Sequence, residues 1–311
     1  MNPPARRIPL HVVAIRFALV PLLVVGCGGP EDTGAQELGE ATQALGRAWT
    51  FENQPLDTYT HADAKLDFGS STGWDPTSQI SVASSGGSKY LRVLLPSATE
   101  NRGGKFYPQL WTSGEYPAAT LRWRMLLEPG WDFYNGDIKM AGTGGGKNYT
   151  GGAGDEAQAK CDGWSARFVL SGNPNNKLKA YYYGCDMTGT PSGGILYGTT
   201  LGTGCTVTVN EWYTLTISVQ ANQSGLANGR LRMWVRRDSD GALCTVVSSD
   251  TRKFANDTAT YPWHENYPRL WNAEFFRGGA GTPPAENHHV RIDDAQWNNS
   301  FYAAYPSALS L

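Results

Sequence analysis

The chain has 311 residues, a formal net charge of −2 and a nearly even balance of 26 basic and 28 acidic side chains. Nucleic acid and anionic membrane surfaces are poor partners for such a chain, because both are recognised by clustered positive charge. An acidic partner would have to be held by a few placed cations. Once an N-terminal leader is set aside, about 260 residues remain, which suits one large β domain.

The N-terminal segment is typical of a bacterial export signal. A basic start is followed by an apolar run over residues 17–25, which is too short to span a bilayer. Gly26 directly before Cys27 matches the site at which a lipoprotein signal is cleaved and lipidated. We therefore expect residues 1–27 to be a lipoprotein signal peptide, with the lipid on Cys27 as the protein's one attachment to a membrane.

The location that follows is outside the cytoplasm. Arg16 at the edge of the apolar run also suits an ordinary secretory signal. The sequence thus predicts an exported protein, either an outer-membrane or cell-surface lipoprotein or a secreted one.

The segment after the signal differs in composition from the rest of the chain. Residues 28–47 are rich in Gly, Glu, Gln and Ala and have no sustained apolar period, which predicts a flexible linker. One folded domain is then expected over residues 48–311, beginning near Trp49. No internal repeat is visible, and nothing in the sequence suggests more than a monomer.

Four cysteines remain when Cys27 is assigned to lipid. In an oxidising compartment this even number favours two disulfides. A zinc site is the alternative, but the four lack C-x-x-C spacing and stand tens of residues apart. The histidines also lack metal-ligand spacing, so neither a metal nor a cofactor is expected. These cysteines are Cys161, Cys185, Cys205 and Cys244, and the histidines after the leader are His61, His264, His288 and His289.

Apolar and polar residues alternate over many short segments. Leu121, Trp123 and Met125 alternate with arginines, which predicts a strand with one buried face. Similar runs cover residues 213–219 and 231–235. Together with 15 Tyr, 11 Trp and 37 Gly, these runs predict an all-β domain. We expect two packed antiparallel sheets, a β-sandwich of jelly-roll (concanavalin-like) type, with helix nearly absent.

Two alternating runs joined by a turn-rich stretch predict one hairpin. If the hairpin is centred on Pro174, Ser165 lies opposite Tyr183 and Arg167 lies opposite Tyr181. Because side chains alternate along a strand, these four share one face, and a hydroxyl, a guanidinium and two phenols form a compact polar square. The opposite face is assigned to Trp164, Ala166, Phe168, Ala180 and Tyr182.

Two features flank the predicted hairpin. Cys161 and Cys185 fall near its open end, where a disulfide would fix the two strands. Upstream, Asp137 and Lys139 share one face of another alternating run. The Gly-rich stretch over residues 142–148 resembles a phosphate-binding loop but lacks the required first Gly and the Ser or Thr. We interpret this stretch as a mobile loop at the rim of a groove.

In their order along the chain, these residues resemble the polysaccharide lyase 14 family of alginate and glucuronan lyases. The resemblance rests on a Lys before a Gly-rich stretch, on Trp-Ser-Ala-Arg, and on a Tyr-x-Tyr pair. It continues in Asn-Glu-Trp at 210–212, Asn-Gly-Arg-Leu-Arg-Met-Trp-Val at 228–235, Phe-Phe-Arg-Gly-Gly at 275–279 and Ile-Asp-Asp at 292–294. Residues 147–161 look like an insertion relative to the family.

The resemblance implies a site and a substrate class. The substrate would be an anionic polysaccharide containing uronate, and no cofactor is implied. The family's functional residues fall on Lys139, Ser165, Arg167, Tyr181 and Tyr183. Weaker candidates for substrate binding are Asp137, Lys179, His264 and Arg277.

The implied reaction is β-elimination, in which a proton leaves C5 next to a carboxylate and the oxygen at C4 departs. Negative charge builds up on that carboxylate, so Arg167 and Lys139 are suited to neutralise it. Tyr183 or Tyr181 would serve as acid and base if nearby cations lower a phenol pKa. We favour Tyr183, with Ser165 orienting the sugar or the tyrosine.

Other classes of protein were weighed against a lyase. A glycosidase needs two carboxylic acids beside a cleft, and no E-x-D-x-E run is present. The main alternative is a non-catalytic carbohydrate-binding β-sandwich on the cell surface, in which the aromatic residues and Arg167 hold sugar. A lectin does not need a cation beside a phenol, which favours the enzyme. A surface structural protein is a third possibility.

Overall fold

The computed structural model describes most of the chain after residue 45. The predicted signal peptide with Cys27, nearly all of the predicted linker, and His264 lie outside the described residues. The first strand begins at Gly46, inside the last two residues of the segment predicted as linker. Among the described elements, none of the helices has the length and apolar character needed to cross a bilayer. The described residues are 46–69, 71–75, 79–97, 102–110, 116–131, 137–171, 176–188, 196–257, 266–278 and 286–309.

The described elements are fifteen strands and two short helices. In chain order they are β1 (Gly46–Trp49), α1 (His61–Phe68), β2 (Ser71–Asp75), β3 (Ile80–Ser85), β4 (Ser88–Leu95), β5 (Arg102–Pro108), β6 (Ala118–Leu127), β7 (Asp137–Gly146), α2 (Gly154–Lys160), β8 (Gly163–Ser171), β9 (Lys177–Tyr183), β10 (Thr199–Thr206), β11 (Trp212–Gln220), β12 (Gly229–Arg237), β13 (Leu243–Arg252), β14 (Leu270–Gly278) and β15 (His288–Asn298).

The strands form two sheets. The eight-stranded sheet has the order β13-β12-β11-β6-β15-β4-β3, with β1 paired to β15, and the seven-stranded sheet has the order β10-β9-β8-β7-β14-β5-β2. The strand pairs of both sheets are antiparallel. The predicted all-β, jelly-roll type sandwich is confirmed.

The core lies between the sheets and is rich in aromatic side chains. Trp123 of β6 is fully buried, as its alternation with arginines predicts. Its ring lies 5.7 Å from that of Phe168 in β8 and 6.0 Å from that of Trp271 in β14. These contacts join the eight-stranded sheet to the seven-stranded sheet. Each apolar side chain buried here contributes about 1.5–3 kcal/mol to folding.

Helix α1 is defined by its two ends. The Thr60 side chain accepts a hydrogen bond from the Asp63 amide, and the Asp63 carboxylate accepts one from the Thr60 amide. This capping box satisfies amides that have no partner within the helix. Gly69 ends the helix with a φ of 74°, a backbone conformation that favours glycine.

Two disulfides are formed, as the cysteine count predicts. Cys205 of β10 is bonded to Cys244 of β13, so this bridge links the terminal strands of the two sheets. Cys161, which follows α2, is bonded to Cys185, which follows β9. The second bridge closes the β8–β9 hairpin at its open end, where the sequence placed these two cysteines.

Candidate active site

The β8–β9 hairpin carries the predicted polar square. The strand register places Ser165 opposite Tyr183 and Arg167 opposite Tyr181, so the predicted pairing is confirmed. The other face of the hairpin packs into the core, where Phe168 contacts Trp123. Alternation along the two strands is therefore sufficient to bring these four side chains together.

Lys139 reaches the same face from the neighbouring strand β7. Its Cα lies opposite Val169, which is two residues from Arg167 and therefore on the same face of β8. The next paired residue of β7 is Gly142, opposite Arg167, so three steps along β7 correspond to two along β8. The extra residue is a β-bulge, a feature that changes the direction in which side chains point and occurs often beside active sites.

The Gly-rich stretch is part of β7, and its interpretation as a mobile loop is wrong. The strand runs to Gly146 and pairs with β8 throughout. A Cβ on Gly142 would lie 2.4 Å from Cβ of Arg167, and one on Gly144 would lie 2.1 Å from Oδ1 of Asn148. Glycine is needed at these positions because atoms of β8 and of Asn148 fill the space that a methyl group would take.

Arg167 is fully buried and is paired with a glutamate that the sequence analysis missed. Its Nη1 lies 2.5 Å from Oε2 of Glu274 on β14. Within the described part of the chain, Nε and Nη2 of Arg167 have no hydrogen-bond partner. These two atoms present parallel N–H donors along one edge of the guanidinium, the geometry that binds a carboxylate at two points.

The sequence contains one weak indication that Glu274 has a charged partner. Glu274 stands between Ala273 and Phe275 in a strand of mostly apolar residues, and it lies 107 residues after Arg167. Its side chain is 18% exposed. A charged residue within an apolar strand indicates a partner, but the local pattern does not reveal which residue that partner is.

The charges of the site alter each other's protonation. Burial raises the pKa of Glu274, but the nearby positive charges, Arg167 above all, outweigh it and hold the pKa below its ordinary value. Burial and the charge of Arg167 lower the pKa of Lys139 to about 8, although Glu274 and Asp137 act in the opposite direction. Lys139 is therefore mostly protonated at neutral pH and loses its proton under mildly alkaline conditions.

The two tyrosines form a hydroxyl pair. Tyr181 Oη lies 3.4 Å from Tyr183 Oη and accepts a hydrogen bond of 2.9 Å from the Gly198 amide. Tyr183 donates to the carbonyl of Gly151. Lys139 Nζ lies 5.1 Å from the centre of the Tyr181 ring.

The condition that nearby cations lower a phenol pKa is met by neither tyrosine. Burial raises the pKa of Tyr181 and that of Tyr183, and the charge of Arg167 opposes this shift without reversing it. Both phenols are thus neutral at physiological pH. They are better suited to give a proton than to take one.

The Tyr183 end of the square is more enclosed than the Tyr181 end. Tyr183 and Ser165 are fully buried, whereas Tyr181 is 7% exposed. Ser165 Oγ donates a hydrogen bond of 2.6 Å to the carbonyl of Tyr149, so both enclosed side chains are held by the segment before α2. That segment lies within residues 147–161, which the sequence analysis marked as an insertion.

The four weaker candidates for substrate binding lie in different surroundings. Asp137 is exposed and accepts a hydrogen bond of 2.9 Å from Ser171 Oγ. Lys179 lies on β9 opposite Val169 and therefore on the face of Lys139. Arg277 is paired with Ile138 in the register of β14 and β7, and its side chain is not described. His264 lies outside the described residues.

No metal centre accompanies this cluster in the described ranges. There, His, Cys, Asp and Glu side chains form no group of three or more that could hold a metal ion.

Solved structures share this fold. The alginate lyase Aly36B matches with a TM-score of 0.64 and 19% identity over 81% of this chain and 96% of that one. A mutant of Aly36B in complex with an alginate tetrasaccharide gives 0.65 and 20%, over 81% and 96%. The marine PL-14 alginate lyase from Aplysia kurodai gives 0.61 and 17%, over 78% and 97%.

The family match comes from the sequence itself. No curated protein sequence matches the chain. The profile of the family described as Polysaccharide lyase 14, however, matches residues 84–257, more than half of the chain, including β7, β8 and β9. The resemblance found in the sequence is confirmed: the chain belongs to the polysaccharide lyase 14 family.

Proposed function

We propose that the protein is an exported lyase that cleaves a uronate-containing polysaccharide, of alginate or glucuronan type, by β-elimination. The observation that carries this proposal is the unpartnered Nε–Nη2 edge of the buried Arg167, next to Lys139 and Tyr181. A cation held in this way stabilises negative charge more strongly than one in water.

The reaction places defined demands on the site. A base removes the proton at C5, the electrons form a double bond between C4 and C5, and the C4–O bond breaks. The leaving oxygen takes a proton from an acid. Arg167 supplies the positive charge that the substrate carboxylate needs. Arg167 is fully buried, so binding of a carboxylate to it requires a rearrangement of the side chains around it.

The pKa shifts of Lys139 and the tyrosines support one residue as the base and a different residue as the acid. With a pKa of about 8, Lys139 is partly neutral under mildly alkaline conditions and can take the C5 proton. A neutral phenol can protonate the leaving oxygen. Exposure supports Tyr181 over Tyr183, the residue that the sequence analysis favoured, because Tyr183 is fully enclosed and its proton is donated to Gly151.

The relatives support alginate as the first substrate to test. Three solved proteins that share the fold are alginate lyases by name, and one was solved with an alginate tetrasaccharide bound. Lys179 adds a further cation on the face of Lys139, as an anionic polymer requires. We propose Lys179 and Asp137 as contacts for neighbouring sugars, together with His264 and Arg277, whose placement there comes from the sequence alone.

The assay follows the unsaturated sugar that β-elimination creates. Purified protein is incubated with alginate, polyglucuronate and related uronans, and the ultraviolet absorbance of the new double bond is recorded. We expect the absorbance to rise with at least one uronan. Measurable binding without absorbance on any uronan would instead support the carbohydrate-binding alternative.

Export through a lipoprotein signal is proposed from residues 1–27. Two disulfides in the fold support an oxidising compartment. The test is fractionation of bacteria that express the full chain. A Cys27→Ser variant should leave the membrane fraction, and a wild-type chain found in the soluble cytoplasmic fraction would contradict export.

A further inference from the structure

Glu274 lies among cations that come from three different strands. Its carboxylate binds Arg167 of β8, and it is paired in register with Lys105 of β5. The charge of Lys139 on β7 also acts on it. Two of these cations, Arg167 and Lys139, are buried, and burial together with the charge of Arg167 lowers the pKa of Lys139.

The position of Glu274 depends on irregular strand pairing. Between Asn272 and Phe276, the register of β14 shifts against β7. Between Glu274 and Phe276 it shifts again, against β5. Such shifts redirect side chains and are retained where a particular side chain has to reach a site. Glu274 is thus brought to the centre of the cation cluster by a local departure from regular sheet.

We propose that Glu274 is a positioning residue for the lyase reaction: it holds Nη1 of Arg167 so that the Nε–Nη2 edge faces the substrate carboxylate, and its charge allows Arg167 and Lys139 to be buried side by side. This inference rests on the proposed function. It adds a residue that the family's Lys, Ser, Arg and Tyr pattern does not contain.

A positioning role predicts a change in the protonation of Lys139. The negative charge of Glu274 favours the protonated amine, so a neutral side chain at this position should lower the pKa of Lys139 further. If neutral Lys139 is the base, the acidic limb of the pH profile then moves to lower pH. In the described part of the chain, the charged and titratable groups that face Lys139 include Arg167, Glu274, Asp137, Tyr181 and Lys179.

The test compares variants of the full-length protein. Glu274→Gln keeps the shape and a hydrogen-bond acceptor but removes the charge, whereas Glu274→Asp keeps the charge. We expect Glu274→Gln to lower kcat/KM roughly 100-fold, as misplacement of a catalytic group by about 1 Å does. The acidic limb should move down by about one pH unit. Glu274→Asp should retain the limb of the wild type.

The control removes a comparable ion pair elsewhere. Glu128 binds Arg92 and Arg291 on the eight-stranded sheet, and Glu128→Gln should leave the pH profile unchanged. The pKa of Lys139 is also read without turnover, from the pH dependence of its acetylation followed by mass spectrometry. This readout applies even if the wild type cleaves no uronan, so failure of the proposed function is distinguished from failure of this inference.

Each result for the Glu274 variants either supports or overturns the positioning role. A lower pKa of Lys139 in folded Glu274→Gln, together with the lost activity, supports positioning. An unchanged Lys139 pKa in that variant overturns the inference, whatever happens to activity. If Glu274→Gln does not fold, the test uses Glu274→Asp. In this variant we expect the Lys139 pKa of the wild type together with a reduced kcat. An altered Lys139 pKa would contradict the role of the Glu274 charge.

Discussion

Two arginine–glutamate clusters on opposite sheets use the same residue types in different ways. On the eight-stranded sheet, Arg92 donates from Nε and Nη2 to both oxygens of Glu128, and Arg291 donates to the same carboxylate. The arginine side chains are 36% and 22% exposed. On the seven-stranded sheet, Arg167 is completely buried, and Glu274 binds one of its three nitrogens.

The difference separates a saturated ion pair from a candidate binding site. The Nε–Nη2 edge of Arg92 is already bound to a carboxylate, so the cluster around Glu128 has few hydrogen-bond donors left for a ligand. In Arg167 the equivalent edge is unpartnered among the described residues while the cation has been removed from water. Burial with unused donors is energetically unfavourable unless a ligand satisfies them.

The largest loss of activity should come from Arg167→Lys. Lysine keeps the charge but cannot present two parallel donors, so kcat/KM on the active uronan should fall roughly 1,000-fold, the upper range for one lost charge-stabilising donor. Arg92→Lys is the matched control and should retain wild-type kcat/KM. Equal losses in both variants would remove the distinction between the two clusters.

The tyrosines give the next largest effect. Tyr181→Phe should lower kcat about 100-fold, because loss of a general acid has effects of this order or greater. Tyr183→Phe removes the hydroxyl held by Gly151 and should reduce kcat less. Steady-state kinetics on both folded variants measure the two losses of kcat. A larger loss in Tyr183→Phe than in Tyr181→Phe would assign the acid to Tyr183.

The two glutamates should also differ in their contribution to stability. Glu274→Gln leaves the fully buried Arg167 without a counter-ion and should lower the free energy of unfolding by about 3 kcal/mol at pH 7. Glu128→Gln leaves arginines that water can reach, and should lower it by about 1 kcal/mol. Urea denaturation measures both, and equal values would contradict the comparison.

The pH dependence of this difference has a definite sign. The pKa of Glu274 is held below its ordinary value in the folded state. Its charge therefore stabilises the fold above the unfolded pKa of about 4.3, and the contribution is lost as pH falls through the lower folded pKa. The stability advantage of the wild type over Glu274→Gln should shrink toward zero in that acidic range.

The smallest effect on activity is expected from the bridge between the sheets. Replacing Cys205 and Cys244 by serine opens a link with a sequence separation of 39 and should lower the free energy of unfolding by about 2–4 kcal/mol. Activity below the melting temperature should persist. Replacing Cys161 and Cys185 should reduce kcat, because that bridge fixes the hairpin. Thermal melts and the uronan assay distinguish the two.

Local pattern was enough to predict part of this molecule. Alternation on either side of a turn-rich stretch predicts the β8–β9 register, so Ser165 and Arg167 could be matched with their tyrosines in advance. The same alternation predicts the buried face of β6. Each of these predictions depends on residues close together in sequence.

What escaped prediction depends on residues that are far apart in sequence. Glu274 reaches Arg167 across 107 residues. The direction of the tyrosine pKa shifts follows from burial of the hairpin and not from the neighbouring arginine. The sequence indicated a loop at Gly142 because the atoms that fill the space of its missing Cβ belong to another strand, β8.

The long separation of Glu274 from Arg167 also has a kinetic consequence. The hairpin that carries Arg167 is built from local contacts and can form early, whereas β14 has to pair with β7 across a large loop, a slow type of step. We therefore expect a refolding chain to pass through a stage in which Arg167 and Lys139 are in place and Glu274 is not. Recovery of lyase activity should lag behind recovery of strand structure by the time that β14 needs to dock.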